Sequence, residues 1–450
     1  MDLKNKTVTV IGLGKSGFAA AKFLNEKSAK VFVTEGSEKQ EVLERAGYLR
    51  GLGMTVETGG HTDAFIDPAD WIVASPGVPK SSAPLLRAAK RRIPVISEIE
   101  LAYHFCPGKI VAVTGSNGKT TTCHLLYRMI RQAGKPAVLC GNVGFSFLDA
   151  LAEIQKNTVV VLELSSFQLE DSPRFRPDIA MVLNVSPNHL DRHGAMASYV
   201  RAKENIFRNQ RARDAIVLNQ NNSYTHAMIR KAKAKVFTFS AEGPVRRGCY
   251  EEGGKMAEKM EGPKKVLFSM EDLELKGRHN RENILAASIA ARLCGVPVSA
   301  IQKAAAGFKT LEHRMEPVGE IRGVRFVNDS KSTTVASTRA AIEAVEGPIV
   351  LVAGGRPKGA SFSEIEGLVL RRVKKAVLYG EARAKIADSW PKFAGILSES
   401  EFDRAVGRAF DEAEPGDTVL LSPMCTSFDQ FTSFEARGEA FKRVLDRLRG

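Results

Sequence analysis

Apolar positions along the chain fall into short β-branched runs, most of them followed by a turn and a longer segment of helical spacing. Residues 7–11, 31–34, 71–74 and 94–96 read as strands, with helices ending near Lys27 and running over 98–105. Pro107 and Gly108 then break the pattern before a strand at 110–113 and a helix over 120–133 that stops at Gly134. Further strands at 137–139, 158–164, 179–183, 215–218 and 236–239 predict a mostly parallel sheet with helices on both faces. Residues 241–276 lose this rhythm: glycines alternate with charges of both signs, which predicts exposed hairpins or a mobile loop. A helix over 281–293, a turn at Pro297, a helix to Ala306 and a linker at 307–312 lead to strands at 324–327, 349–353 and 419–421.

At 450 residues the chain is too long for one core and suggests about three domains. Its 44% hydrophobic and 26% charged residues are ordinary for a globular protein. A formal charge of +14 favours anionic partners, but no basic run with interleaved aromatics appears, so small phosphorylated ligands are expected rather than nucleic acid. Six scattered cysteines without a CxxC pair suggest neither zinc nor a disulfide framework. The start, MDLKNKTVTVIGLG, lacks signal-peptide architecture, and no run of about 18 apolar residues could span a bilayer, so a cytoplasmic protein with no membrane partner is expected.

The stretch VAVTGSNGKTTT, 111–122, organises the rest. A strand, a loop from Gly115 through Ser116 and Asn117 to Gly118, and a helix start gather backbone N–H groups and a positive dipole end around one spot, which suits a phosphate. Lys119 would reach the terminal phosphates and the Thr120 hydroxyl a Mg²⁺ ion. Val113 stands where the common pattern has its first glycine, and a solvated loop remains the bland alternative. Upstream, Gly12, Gly14 and Gly17 form G-x-G-x-x-G, with Glu35 at the end of the next strand; alone this says NAD, or a Rossmann-like fold without cofactor. SPGVP, 75–79, is a tight turn at a strand's end, where such folds place ligands.

Three strand ends of the central segment carry polar groups. Glu163 closes an apolar run, where a carboxylate is costly unless paired or metal-bound; Asn142 follows a second strand and His189, near Asp191, a third. His189 reads equally as a loop histidine or a metal ligand, and Lys203 as a solvated surface lysine. In the last third, Arg314, the Asp329, Lys331 and Thr333 cluster, Lys358 in GGRPKG and the SPMCTSFDQFTSFEARG tail lie at or near strand ends, suggesting a small anionic ligand at the sheet's carboxyl edge.

Together GLGKSG, SPGVP, TGSNGKTT, GNVG, ELSSFQLE, NVSPNHLDRH, GRHNRENILAA, LEHRME, NDSKST, GGRPKG and the tail give a chain that resembles the ATP-dependent Mur ligases of peptidoglycan synthesis. ELSSFQLE and SFDQFTSFEARG are similar to the D-glutamate-adding branch. The resemblance implies an α/β protein of three domains: a Rossmann-like UDP-sugar domain at 1–97, a central P-loop ATPase-like domain with a mostly parallel sheet at 98–309, and a Rossmann-like amino-acid domain at 310–450. It implies UDP-N-acetylmuramoyl-L-alanine and D-glutamate as substrates and a monomer. Lys15, Ser16, Glu35, Ser75, Gly77 and Asn142 would meet the UDP substrate. Gly115 to Thr121 (Gly115, Ser116, Asn117, Gly118, Lys119, Thr120, Thr121), Asn283, Arg314 and Asp329 would meet ATP. Lys331, Thr333, Lys358, Ser427 and Phe434 would surround D-glutamate. Thr120, Glu163, His189 and Lys203, the last as a carbamate, would hold two Mg²⁺ ions, with Lys119, Glu163, His189 and Lys203 catalytic. A nicotinamide-dependent dehydrogenase with an appended P-loop, a nucleotide-binding regulator, and an amide ligase for another amino acid stay open as alternatives.

Overall fold

A computed structural model describes residues 1–188, 190–271, 273–275, 277–309, 312–357 and 361–449. The chain forms three sheets within two compact units. One unit comprises Met1–Val185, Ala197–Asp272 and Glu282–Ala306, the other Ser186–Met196, Leu273–Arg281 and Gly307–Gly450.

The first unit carries two of the sheets. In the N-terminal one, strands Thr55–Thr58, Lys30–Glu35, Thr7–Ile11, Trp71–Ala74 and Val95–Ser97 lie side by side in that order, all parallel. The order reverses between Thr7–Ile11 and Trp71–Ala74, so the crevice at their carboxyl ends is where such a sheet takes a ligand. The N-terminal and central sheets share one unit because polar and aromatic contacts tie them. Lys22 pairs with Asp149, the hydroxyls of Ser97 and Ser172 meet at 2.8 Å out of solvent, and the rings of Phe23 and Phe105 stack edge to face.

The central sheet has nine strands. Ala137–Gly141, Val159–Glu163, Lys109–Thr114, Ile179–Val182, Ala215–Asn219 and Lys235–Ser240 are parallel neighbours, and Val159–Glu163 is buried along its whole length. Such a strand needs apolar cover on both faces, which explains its VVVLE sequence up to the final carboxylate. The 241–276 segment takes the hairpin form of its two expected ones, though with more burial than exposed hairpins would have: Gly248–Glu252, Lys255–Lys259 and Lys265–Ser269 extend this sheet, with Cys249, Tyr250, Met256 and Ala257 buried. Arg292 grips Glu258 at 2.9 Å and fastens the hairpin to helix Arg278–Leu293.

The second unit is built on one sheet. Strands Val324–Asn328, Thr418–Met424, Ile349–Gly354, Val373–Tyr379 and Ile396–Ser398 run parallel, and Glu316–Ile321 adds an antiparallel edge. Apolar clusters cover both faces, one around Trp390 and Leu351, the other around Phe441 and Val352. The edge strand escaped the sequence reading because EPVGEI carries proline, glycine and two acids.

Glu98 stands out in the first unit. It opens helix Glu98–Tyr103, is 1% exposed, and neither carboxyl oxygen completes a hydrogen bond, although the Phe147 amide and the Gln168 side chain approach it. Burial lifts its pKa from 4.5 to about 7, so the folded chain holds a proton that the unfolded chain releases, and stability falls as pH rises between those values. Glu98→Gln is expected to stabilise the protein by roughly 3 kcal/mol at pH 8 and hardly at all at pH 4.5. Urea denaturation at the two pH values checks this.

Candidate active site

The loop after strand Lys109–Thr114 is held open by specific bonds. Gly118 has φ +80°, and a side chain there would come within 2.3 Å of Asn283 Oδ1. Asn184 clamps the loop, its carbonyl accepting from the Ser116 amide at 3.0 Å and its side-chain oxygen from the Asn117 amide at 2.9 Å. Helix Lys119–Gln132 starts at once, so its first N–H groups and dipole face the same space. Thr120 and Thr121 are buried at that start, and Thr122 donates to Asn283 at 3.2 Å.

Two lysines converge on one carbonyl. Lys119 Nζ donates to Gly115 O at 2.9 Å and to Ser116 O at 3.1 Å, while Lys203 Nζ donates to Gly115 O at 3.0 Å. Lys203 is 1% exposed, against the solvated position its sequence context suggests. Helix Met196–Glu204 places it one turn after Tyr199, whose ring it covers at 4.6 Å and whose hydroxyl meets Ser116 Oγ at 3.1 Å. Burial first, then the Lys119 charge, push the Lys203 ammonium well below the usual lysine range. A neutral amine is a nucleophile, so Lys203 is suited to a CO₂ adduct.

Glu163 sits one strand over, in register with Val113 and Gly141. It is 2% exposed; Asn142 Nδ2 donates to Oε1 at 2.8 Å, and Oε2 is buried without a hydrogen bond. An orphaned carboxylate oxygen at the end of the strand next to the one that opens the phosphate-type loop fits a hard cation such as Mg²⁺. Among the described residues no three His, Cys, Asp or Glu side chains form a ready-made cage. His189 and Lys358 lie outside the described residues.

A second site lies in the N-terminal sheet's crevice, a cavity of about 490 Å³ lined by Lys15, Ser16, Glu35, Ser75 and Gly77 among others. A Cβ on Gly17 would fall 1.8 Å from Gly12 O, so the third glycine is there for close packing. Glu35 also braces the turn, its oxygens accepting from the Leu13 amide at 2.6 Å and the Ser37 amide at 2.8 Å. Asn142 is not among the residues lining this cavity; it serves Glu163.

In the second unit, adjacent parallel strands bring Asp329, Lys331 and Thr333 beside the segment that follows Met424. Lys331 Nζ lies over the Phe434 ring at 4.5 Å, and the Thr333 amide bonds Lys331 O. Asp329 is buried, accepts from Ser422 Oγ at 2.8 Å, and is lifted to about 6 by desolvation. Arg437, overlooked within the tail motif, is fully buried and donates to Ser330, Tyr379 and Cys425, joining the loops that bear Lys331 and Ser427. Its contacts are all with uncharged acceptors, which no sequence pattern announces.

Family models match along the chain: Mur ligase MurD-like, N-terminal domain over 6–97, Mur ligase middle domain over 113–291, and Mur ligase, glutamate ligase domain over 313–425. The chain is 41% identical, over 452 aligned residues, to UDP-N-acetylmuramoylalanine--D-glutamate ligase of Acidobacterium capsulatum, with 100% of this chain and 98% of the relative covered. The chain belongs to the Mur ligase family. Solved folds agree. A pseudomurein peptide ligase type C from Methanothermus fervidus superposes with TM-score 0.62 at 17% identity, covering 99% of this chain and 100% of that one. A MurF ligase from Thermotoga maritima in complex with ADP gives 0.60 at 18% identity, covering 93% and 95%. This Mur ligase thus has the three-sheet α/β architecture its motifs imply.

The strained glycine gives a direct test of the loop. Gly118→Ala is expected to cost about 1–2 kcal/mol of stability, because an L side chain resists this conformation and Asn283 must move. Urea denaturation measures it.

Proposed function

We propose that this Mur ligase joins D-glutamate to UDP-N-acetylmuramoyl-L-alanine at the expense of ATP, in the cytoplasm, as a step of peptidoglycan synthesis. The observation that carries the reading is 41% identity across the whole chain to a D-glutamate ligase. The chemistry of the central loop supports it.

The alanyl carboxylate attacks the γ-phosphate of ATP, giving an acyl phosphate and ADP. The amine of D-glutamate then attacks the acyl carbon, and the tetrahedral intermediate collapses with loss of phosphate. Like charges oppose the first step, so its barrier falls where positive charge is already in place. Lys119 and the helix start supply that charge, and the 115–118 amides cradle the phosphates. Thr120, Glu163, His189 and a Lys203 carbamate would hold Mg²⁺, which when bound offsets phosphate charge. Asn142 keeps Glu163 oriented, with Oε2 left for the ion.

Asn283, Arg314 and Asp329 are assigned to the nucleotide. Lys15, Ser16, Ser75 and Gly77 take the uridine diphosphate. Lys331, Thr333, Lys358, Ser427 and Phe434 take D-glutamate, where the Phe434 ring fixes the Lys331 ammonium as a partner for carboxylate.

Lys119→Ala is expected to abolish ATP-dependent phosphate release; near-normal turnover would remove the loop from the mechanism. With UDP-N-acetylmuramoyl-L-alanine and ATP present, an amino-acid panel should give phosphate only with D-glutamate. Release with L-alanine instead would reassign the substrate. Bicarbonate should restore activity to enzyme depleted of CO₂, and Lys203→Ala should show no such response.

A further inference from the structure

Cations gather at one edge of the central sheet. Residues 208–235 hold seven lysines and arginines against one acidic residue, Asp214. The topology brings most of them together: Arg211 and Arg213 precede strand Ala215–Asn219, and Arg230, Lys231 and Lys233 precede the strand that Lys235 opens. These strands pair in parallel with Ala215 opposite Lys235, so both approaches lie at the sheet's amino edge, and all six cations are exposed. Five residues of strand, about 17 Å, separate them from the carboxyl edge that bears Glu163 and the phosphate loop. Little in the fold answers this charge. Asp214 is buried and gripped by Arg176 at 2.7 Å, with Arg213 at 4.0 Å; Lys231 pairs with Glu204. Asp178, before the neighbouring strand, accepts from the Ile110 amide at 2.9 Å. Among the described residues Arg211, Arg230, Lys233 and Lys235 form no ion pair. Like charges held this close repel one another, a cost that an anionic partner offsets.

Chemistry narrows the partner. Single-stranded nucleic acid is held by bases stacked on aromatic rings, and no aromatic residue stands in 208–213 or 230–235. Duplex grooves are read by a helix or a ribbon, whereas these cations come from turns. A bilayer with anionic headgroups asks only for several cations on one side, each adding to the attraction. We infer that the amino edge of the central sheet is an attachment surface for an anionic phospholipid bilayer. The expectation of no membrane partner weighed only spanning segments, which attachment at the surface does not need. Docked this way, the central sheet turns its carboxyl edge, with the phosphate loop, away from the lipid and keeps it open to dissolved nucleotides.

Sedimentation of the full chain with lipid vesicles tests the inference. The protein should pellet with phosphatidylglycerol vesicles and stay in the supernatant with phosphatidylcholine vesicles, and salt that shortens the Debye length to about 3 Å should release it. Arg211→Gln, Lys233→Gln and Lys235→Gln together should lower the affinity for phosphatidylglycerol by roughly a hundredfold, with melting temperature and vesicle-free ATP-dependent phosphate release unchanged. Lys385→Gln, Lys392→Gln and Arg404→Gln together remove the same charge from exposed positions of the second unit and should leave the affinity within about threefold of the wild type. Equal losses in the two triple variants would overturn the inference in favour of net charge alone. A wild type that ignores phosphatidylglycerol would also overturn it. Tighter binding of duplex DNA than of vesicles, lost only in the first triple variant, would reassign the edge to nucleic acid.

Discussion

A carboxylate at the end of a strand with no water on either face is the constraint on which the central site depends. Val159–Glu163 can be apolar because helices cover both sides, and the same cover removes the solvent that would satisfy Glu163. Asn142 answers one oxygen and leaves the other buried without a hydrogen bond. The opposite problem occurs a few residues away, where two ammonium-bearing side chains share the Gly115 carbonyl. An uncompensated anion and crowded cations in one water-poor place are costly to the empty protein. They suit a site whose substrates bring both phosphates and metal ions.

Much of this was legible because parallel α/β sheets encode ligand sites at strand ends. Strand, glycine turn and helix start were readable at Gly12–Gly17 and Gly115–Lys119, since the backbone there must bend in ways few residues allow. Five of the residues assigned to the UDP substrate line one cavity, because they follow neighbouring strands of a single sheet. What escaped the sequence depends on three-dimensional burial. Lys203 looks like any helical surface lysine until Tyr199 and the loop close over it.

The second unit makes the same point with a cation. Arg437 has no acidic partner at fixed spacing, so sequence offers nothing to pair it with. In the fold it bridges Ser330 and Cys425 from two loops that are about a hundred residues apart in the chain. Five donors in a rigid plane can do this; a lysine could not satisfy the same acceptors together. Arg437 thereby ties together the two loops that carry Lys331 and Ser427.

The hairpins of the 241–276 segment leave Lys265–Ser269 as the end strand of the nine-stranded sheet. Unpaired backbone groups along such a rim invite another molecule to add a strand. Lys264 and Lys265 stand at its entrance, Lys264 paired with Glu252, and Lys255 and Lys259 on the strand beside it, so an approaching copy meets a row of charged side chains. Charged side chains along an edge strand disfavour its pairing with the edge of another sheet.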